Sequence, residues 1–203
     1  MAPSSSSDPN PTPPAAEVRL HQDYVDPASY LVHSILRRME AEVEPRALEL
    51  RPPPDPLIDA GDREWSRYLA EMAERAEELG IPFRPPRLVP WTRKAHELAL
   101  HAREKGCVAE MDRRIYDTYF AEGRDIGRLD VLVEVAISVG LDATETKAAL
   151  DVDRHAARLD QERRNALEAG VRGVPTLVLG DRTLEGFHRE EEIRTFLHPR
   201  NTE

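Results

Sequence analysis

The sequence predicts an α/β fold, one small core of strands and helices interrupted by an all-α insertion. Three patterns carry this. After a leader the chain opens as strand, helix, strand. It closes as strand, hairpin, helix. Everything between repeats its apolar residues at helical spacing. The expected division is a leader over residues 1–16, a first half of the core over 17–56, the helical insertion over 57–152 and the second half of the core over 153–200.

Met1 to Ala16 consists of proline, serine and other small residues, including Ser4 to Ser7 and Pro9, Pro11, Pro13 and Pro14. With little apolar surface to bury, it is expected to be disordered. From Val18 to Val25 apolar and polar residues alternate, as in a strand. Asp26-Pro27 reads as a helix start, with aspartate at the N-cap and proline at the first helical position. Leu31, Ile35, Leu36 and Met39 mark that helix's apolar face. Ala47 to Arg51 reads as a second strand, broken by Pro52-Pro53-Pro54.

The helical stretch begins with Trp65, Leu69, Met72, Ala76 and Leu79 on one face, ended by Gly80 and Pro82. Thr92 is placed to cap a helix carrying Ala95, Leu98, Ala99 and Ala102, and a further helix is expected from Val108 to Phe120. Asp130 leads into Leu132, Val135, Ala136 and Val139, and Asp142 with Glu145 reads as a capping box. A longer helix over Arg154–Ala169 leads to Gly170. The run Val174 to Leu179 is a strand that proline can enter only at its start or at an open edge. Gly180-Asp181 suits a two-residue hairpin turn, Arg182-Thr183-Leu184 is the return strand, and Ile193, Phe196 and Leu197 mark a closing helix from Arg189.

Composition narrows the function. The net charge is −10 and no basic stripe is present, so nucleic acid is not an expected partner. No apolar run approaches a membrane span, and residues 1–16 lack the basic start and apolar core of a signal peptide. A cytoplasmic protein without membrane association is therefore expected, and a homodimer stays open. The single cysteine, Cys107, admits neither an internal disulfide nor a structural cysteine zinc site.

Four stretches together resemble the DsbA-like branch of the thioredoxin proteins, and within it the FrnE-like cytosolic members. They are Asp23 to Tyr30, Ala95 to Ala99, Tyr119 to Gly127, and Gly170-Val171-Arg172-Gly173-Val174-Pro175-Thr176. The resemblance implies a thioredoxin fold with an inserted helical domain, an oxidoreductase ancestry, and a cis bond before Pro175. Val174 would then present its N–H and C=O to an extended substrate by strand addition. An ordinary edge-strand proline is the alternative reading of Pro175, and the wider pattern around it favours the thioredoxin one. The family's chemistry sits in a Cys-Pro-x-Cys motif, where a helix N-terminus favours thiolate. This chain has Asp26-Pro27-Ala28-Ser29 there. Neither a carboxylate nor a hydroxyl can carry out dithiol exchange. The kappa-class glutathione transferases and hydroxychromene-carboxylate isomerases form a second template, whose serine hydroxyl bonds the glutathione sulfur. Pro27, Ser29, Tyr30 and Leu31 fit that frame, but Asp26 stands at the serine position, where an ionised carboxylate would repel thiolate.

The candidate catalytic residues are Asp26 and Ser29, and the candidate substrate-binding residues are Pro27, Val174, Pro175 and Thr176. For Asp26 the sequence favours a helix cap over a general base, because a helix N-terminus lowers a carboxyl pKa. Ser29 has no base beside it in sequence and is expected to face the cleft. Cys107 is expected to be buried and inert. His96 and His101 are spaced off one helix face, so no metal site is expected. His33 is expected to be exposed, Trp65 and Trp91 to be packing residues, and the charges from Arg158 to Glu168 to form a solvated face. No cofactor is required, with glutathione open through the second template. The expected ligand is a thiol-containing small molecule or an extended peptide, bound beside Pro175 with or without turnover.

Overall fold

The structure is a computed structural model and describes residues 17–198; the expected leader lies outside them. In chain order it comprises β1 (Val18–Gln22), α1 (Pro27–Arg38), β2 (Glu44–Ala47), α2 (Arg63–Leu79), α3 (Arg93–Glu104), α4 (Val108–Tyr116), a π-helical turn (Asp117–Ala121), α5 (Leu129–Ser138), α6 (Ala143–Asp151), α7 (Ala156–Glu168), β3 (Thr176–Leu179), β4 (Arg182–Glu185) and α8 (Glu190–Leu197). The sheet order is β2-β1-β3-β4, with β1 parallel to β2 and antiparallel to β3, and β3 antiparallel to β4. Strands from the two ends of the chain therefore pair at the centre of one sheet, and α2 to α6 lie between them in sequence.

Alternation along the strands sends side chains to two faces. Leu20 and Leu177, opposite each other in the β1–β3 register, pack against Val32, Ile35 and Leu36 of α1 and Ile193 and Phe196 of α8. Val178 points to the other face, where it meets Ala166 of α7 with Leu48 and Val171. Each fully buried aliphatic side chain here contributes about 1.5–3 kcal/mol. A larger cluster gathers Tyr24, Tyr30 and Leu31 with Met72, Leu98, Met111, Ile115, Tyr116, Phe120 and Leu132, so the start of α1 is packed directly against the helical segment.

Several boundaries differ from the sequence reading. β1 stops at Gln22 because the chain turns at Asp23, where Asp26 N donates to Asp23 O at 3.1 Å; Tyr24 and Val25 enter the helical core instead of the sheet. β2 pairs over Glu44–Ala47, upstream of the expected Ala47–Arg51. It contains Pro45, which costs no ladder bond on an edge strand. Its carbonyl is taken by Arg103 Nη2. The helix expected to run to Phe120 is α-helical only to Tyr116 before widening into the π-helical turn.

Asp142 accepts from Glu145 N at 2.7 Å, but the Glu145 carboxylate turns to Lys105 at 2.7 Å, so the expected box is a single cap. Gly180 takes φ +59°, which suits the two-residue turn joining Leu179 to Arg182.

Four side-chain expectations also change. Glu162, expected on a solvated face, is buried and accepts from Arg103 at 2.8 Å and from Ala47 N at 3.3 Å, tying α7 to the edge strand. His33 is half-buried, its ring 5.1 Å from that of Tyr116, and burial pulls its pKa down to about 4. Trp91 is exposed, with Nε1 donating to Asp55 O at 3.1 Å. Cys107 is half-buried, not fully buried, its thiol directed at Ala102 O at 3.6 Å, and burial pushes its pKa up. No helix among the described residues is long and apolar enough to cross a membrane.

Candidate functional site

The start of α1 and the loop before β3 meet at an open cleft of about 700 Å³. Asp26 and Val174 line it together with Leu50, Arg51, Trp65 and Tyr68, and with the acidic side chains Asp59, Asp62 and Glu64. Two segments remote in sequence thus contribute to one depression, because β1 and β3 are neighbours in the sheet.

Asp26 occupies the N-cap of α1, and its carboxyl oxygens have separate partners. Oδ2 accepts from Ser29 N at 2.7 Å, which satisfies an amide of the first helical turn. Oδ1 accepts from the Tyr68 hydroxyl at 2.7 Å, reaching across from α2. The residue is only 2% exposed. Burial pushes its pKa up to about 6, against the hydrogen bonds from Ser29 and Tyr68 that favour the charged form; the negative charge of Asp23 adds to the rise. Desolvation therefore outweighs the helix N-terminus, which by itself lowers a carboxyl pKa. The cap and a titratable group near neutrality are the same residue. The Tyr68 phenol is held far above its ordinary value by burial and by the neighbouring Asp26, so it donates and does not ionise.

The other predicted residues lie at different depths. Ser29 is fully buried, its hydroxyl has no hydrogen-bond partner, and it does not line the cleft. Pro27 and Pro175 are buried, and Thr176 is buried with Oγ1 donating to Gly173 O at 2.8 Å. The Val174–Pro175 peptide bond is cis, and Pro175 O accepts from Gly186 N at 2.8 Å. Of the four proposed substrate contacts, Val174 alone lines the cleft, half-buried at its edge. Cys107 does not line it.

Sequence reasoning missed Tyr68 and underrated Trp65. They stand three residues apart on α2, with ring centroids 5.7 Å apart, and Trp65 Nε1 is buried without a partner. The available signal was that spacing, which sets two aromatics beside each other on one helix flank.

Behind the cleft, Asp23 anchors the turn that aims α1. It accepts from Leu50 N at 2.6 Å and stands 3.2 Å from His96 Nε2. Tyr24 donates to Asp112, whose carboxyl burial pushes up to about 6, and the Tyr24 ring lies 4.6 Å from that of His96. These buried groups hold the cleft floor and do not reach it.

A four-stranded mixed sheet in this order, flanked by helices and interrupted by a helical segment, with the first helix N-terminus facing the loop before the third strand, defines a thioredoxin-like α/β protein. Residues 17–198 match the DSBA-like thioredoxin domain, and the chain belongs to that family. It is 30% identical to the uncharacterized protein YwbO of Bacillus subtilis over 183 residues, covering 83% of this chain and 89% of that one. Among solved structures, a probable DsbA oxidoreductase from Streptomyces coelicolor aligns with TM-score 0.75 at 23% identity, covering 93% of this chain and 92% of the other. A 2-hydroxychromene-2-carboxylate isomerase aligns with TM-score 0.73 at 18% identity, covering 88% and 91%. The cytosolic disulfide reductase DsbM of Pseudomonas aeruginosa, solved with glutathione, aligns with TM-score 0.63 at 21% identity, covering 90% and 93%.

Proposed function

We propose that this DsbA-family chain binds an extended peptide or thiol compound in the Asp26–Val174 cleft without exchanging disulfides, a buried carboxyl having replaced the family's dithiol. The carrying observation is the carboxyl at the N-terminus of α1, bonded to Tyr68 and sharing one cleft with Val174. The one cysteine of the chain does not line that cleft, so no thiolate is available there to attack a disulfide.

Of the two ligand classes, the charge of the cleft favours the peptide. Asp26, Asp59, Asp62 and Glu64 face one cation, Arg51, in the lining. Glutathione, an anion at neutral pH, would meet net repulsion there, whereas a peptide bearing lysine or arginine would meet attraction. The backbone N–H and C=O of Val174 take no part in the backbone hydrogen bonds among the described residues, which leaves both for strand addition. Trp65 supplies an apolar wall and an unpartnered indole N–H. The transferase or isomerase reading needs the Ser29 hydroxyl at the cleft, and the burial of that hydroxyl disfavours it.

Insulin reduction by dithiothreitol tests the first half of the proposal. The expected rate equals that of dithiothreitol alone, and catalysis on the scale of a Cys-Pro-x-Cys protein would overturn it. Calorimetry tests the choice of ligand: a lysine-rich peptide is expected to release or absorb heat on binding and glutathione none, and the reverse order would reject the electrostatic argument.

A further inference from the structure

Away from the cleft, the C-terminal end of α3 and the first turn of α7 bring His101, Glu104 and His155 together. Each offers a donor atom, and the three donor atoms lie within 4.8 Å of one another. We propose that this trio is a binding site for a divalent transition-metal ion of the zinc class, clamping α3 to the start of α7.

The two imidazoles are nearly inaccessible, His101 at 1% exposure and His155 at 3%. Among the described residues His101 Nδ1 and His155 Nε2, both buried, have no hydrogen-bond partner. Buried polar atoms are ordinarily satisfied, so two orphaned nitrogens on adjacent rings need an explanation. The ring centroids are 5.7 Å apart, close enough for both to reach one ion. His155 Nδ1 lies 3.7 Å from Glu104 Oε1, beyond hydrogen-bond range, so the two side chains are neighbours that no bond ties together.

One local rule is broken in a way that a cation would offset. Glu104 puts a carboxylate in the last turn of α3, where the helix dipole disfavours it. His155 stands at the N-cap of α7 and makes no side-chain cap bond.

The surrounding charges are accommodated. Lys105 and Arg154 are drawn to Glu145, at 2.7 and 3.9 Å, Arg158 leans to Glu162 at 3.7 Å, and the Glu97 carboxylate accepts from His155 N at 3.3 Å. Two nitrogens and one carboxylate suit zinc, cobalt or nickel better than calcium or magnesium, which prefer all-oxygen sites. Glu104 is 47% exposed at its side chain, so solvent can complete the fourth position.

The test is titration of the EDTA-stripped full chain with Co²⁺, followed by displacement with Zn²⁺ and thermal unfolding with and without Zn²⁺. One saturable site is expected, with the visible absorption of four-coordinate Co²⁺, no thiolate-to-cobalt band, and a melting temperature that rises with Zn²⁺. Glu104→Ala alters an exposed side chain and keeps the fold. It is expected to weaken binding by at least ~10-fold, as loss of a direct ligand costs no less than loss of an outer-shell partner. His155→Gln is expected to abolish the cobalt spectrum, and His188→Gln at an unrelated histidine to leave it unchanged. No saturable binding, binding equal in Glu104→Ala and the parent, or a thiolate band assigning the ion to Cys107 would each overturn the proposal.

Discussion

Replacing Asp26 by asparagine separates a helix cap from a strained, desolvated carboxyl. Asparagine caps a helix as well as aspartate does. Its amide oxygen can keep the bond from Ser29 N, while Tyr68 turns its hydroxyl to accept from the new NH₂ group. What changes is the charge. The carboxyl has a value of 3.8 when free of the fold and about 6 within it. Below 3.8 it is protonated in both states. Between 3.8 and about 6 the unfolded chain ionises first, so stability falls as pH rises. Above about 6 both states are ionised and the loss is complete. At about 1.4 kcal/mol per pH unit the loss amounts to about 3 kcal/mol, an order-of-magnitude figure. Asp26→Asn should therefore match the parent at pH 4 and exceed it by about 3 kcal/mol at pH 8, or about 6–12 °C in Tm for a chain of this size. Paired urea and thermal unfolding curves at the two pH values measure this, and comparing variant with parent cancels the other titrating groups. A variant less stable than the parent at pH 8, or a difference that is equal at both pH values, would refute the reasoning.

Other perturbations test neighbouring claims. Tyr68→Phe removes a hydrogen bond to the charged form of Asp26, so the Asp26 pKa should rise further above about 6; carboxyl carbon NMR reads this, and an unchanged or lower value would contradict the bond. Ser29→Ala deletes a buried, unpartnered hydroxyl and should leave stability within about 1 kcal/mol of the parent or raise it, with peptide binding unchanged. Glu162→Ala leaves Arg103 Nη1 and Ala47 N without their acceptor, while Arg103 Nη2 keeps the Pro45 carbonyl, and should cost about 2–3 kcal/mol in urea unfolding; a loss under about 0.5 kcal/mol would return Glu162 to the solvated face that the sequence suggested.

The fold was legible because its signals are local. Asp26-Pro27 starts α1, Gly180-Asp181 makes the hairpin turn, and the apolar spacings mark α2, α3, α5 and α8. Signals that depend on partners were misread. The second strand reads as Ala47–Arg51 until β1 is seen to pair with Glu44–Ala47, and Glu162 looks solvated until Arg103 and β2 are set against it. The site was half legible. Asp26 and Val174 could be named from the motif frame, but whether the cap or the desolvation governs Asp26 depends on how deeply α2 buries it. That is a tertiary fact, as is the arrival of Tyr68. Ser29 was expected to face the cleft, and no spacing in the first helical turn told otherwise. His101 and His155 lie on different elements, and no sequence interval announces that they meet.

The cleft beside Asp26 is proposed to receive an extended peptide. Mapping amide NMR shifts during titration with a short lysine-rich peptide tests it most directly. The predicted result is a saturable set of changes confined to Asp26, Leu50, Arg51, Trp65, Tyr68 and Val174. Saturable changes clustered on another face, or none at all, would contradict it.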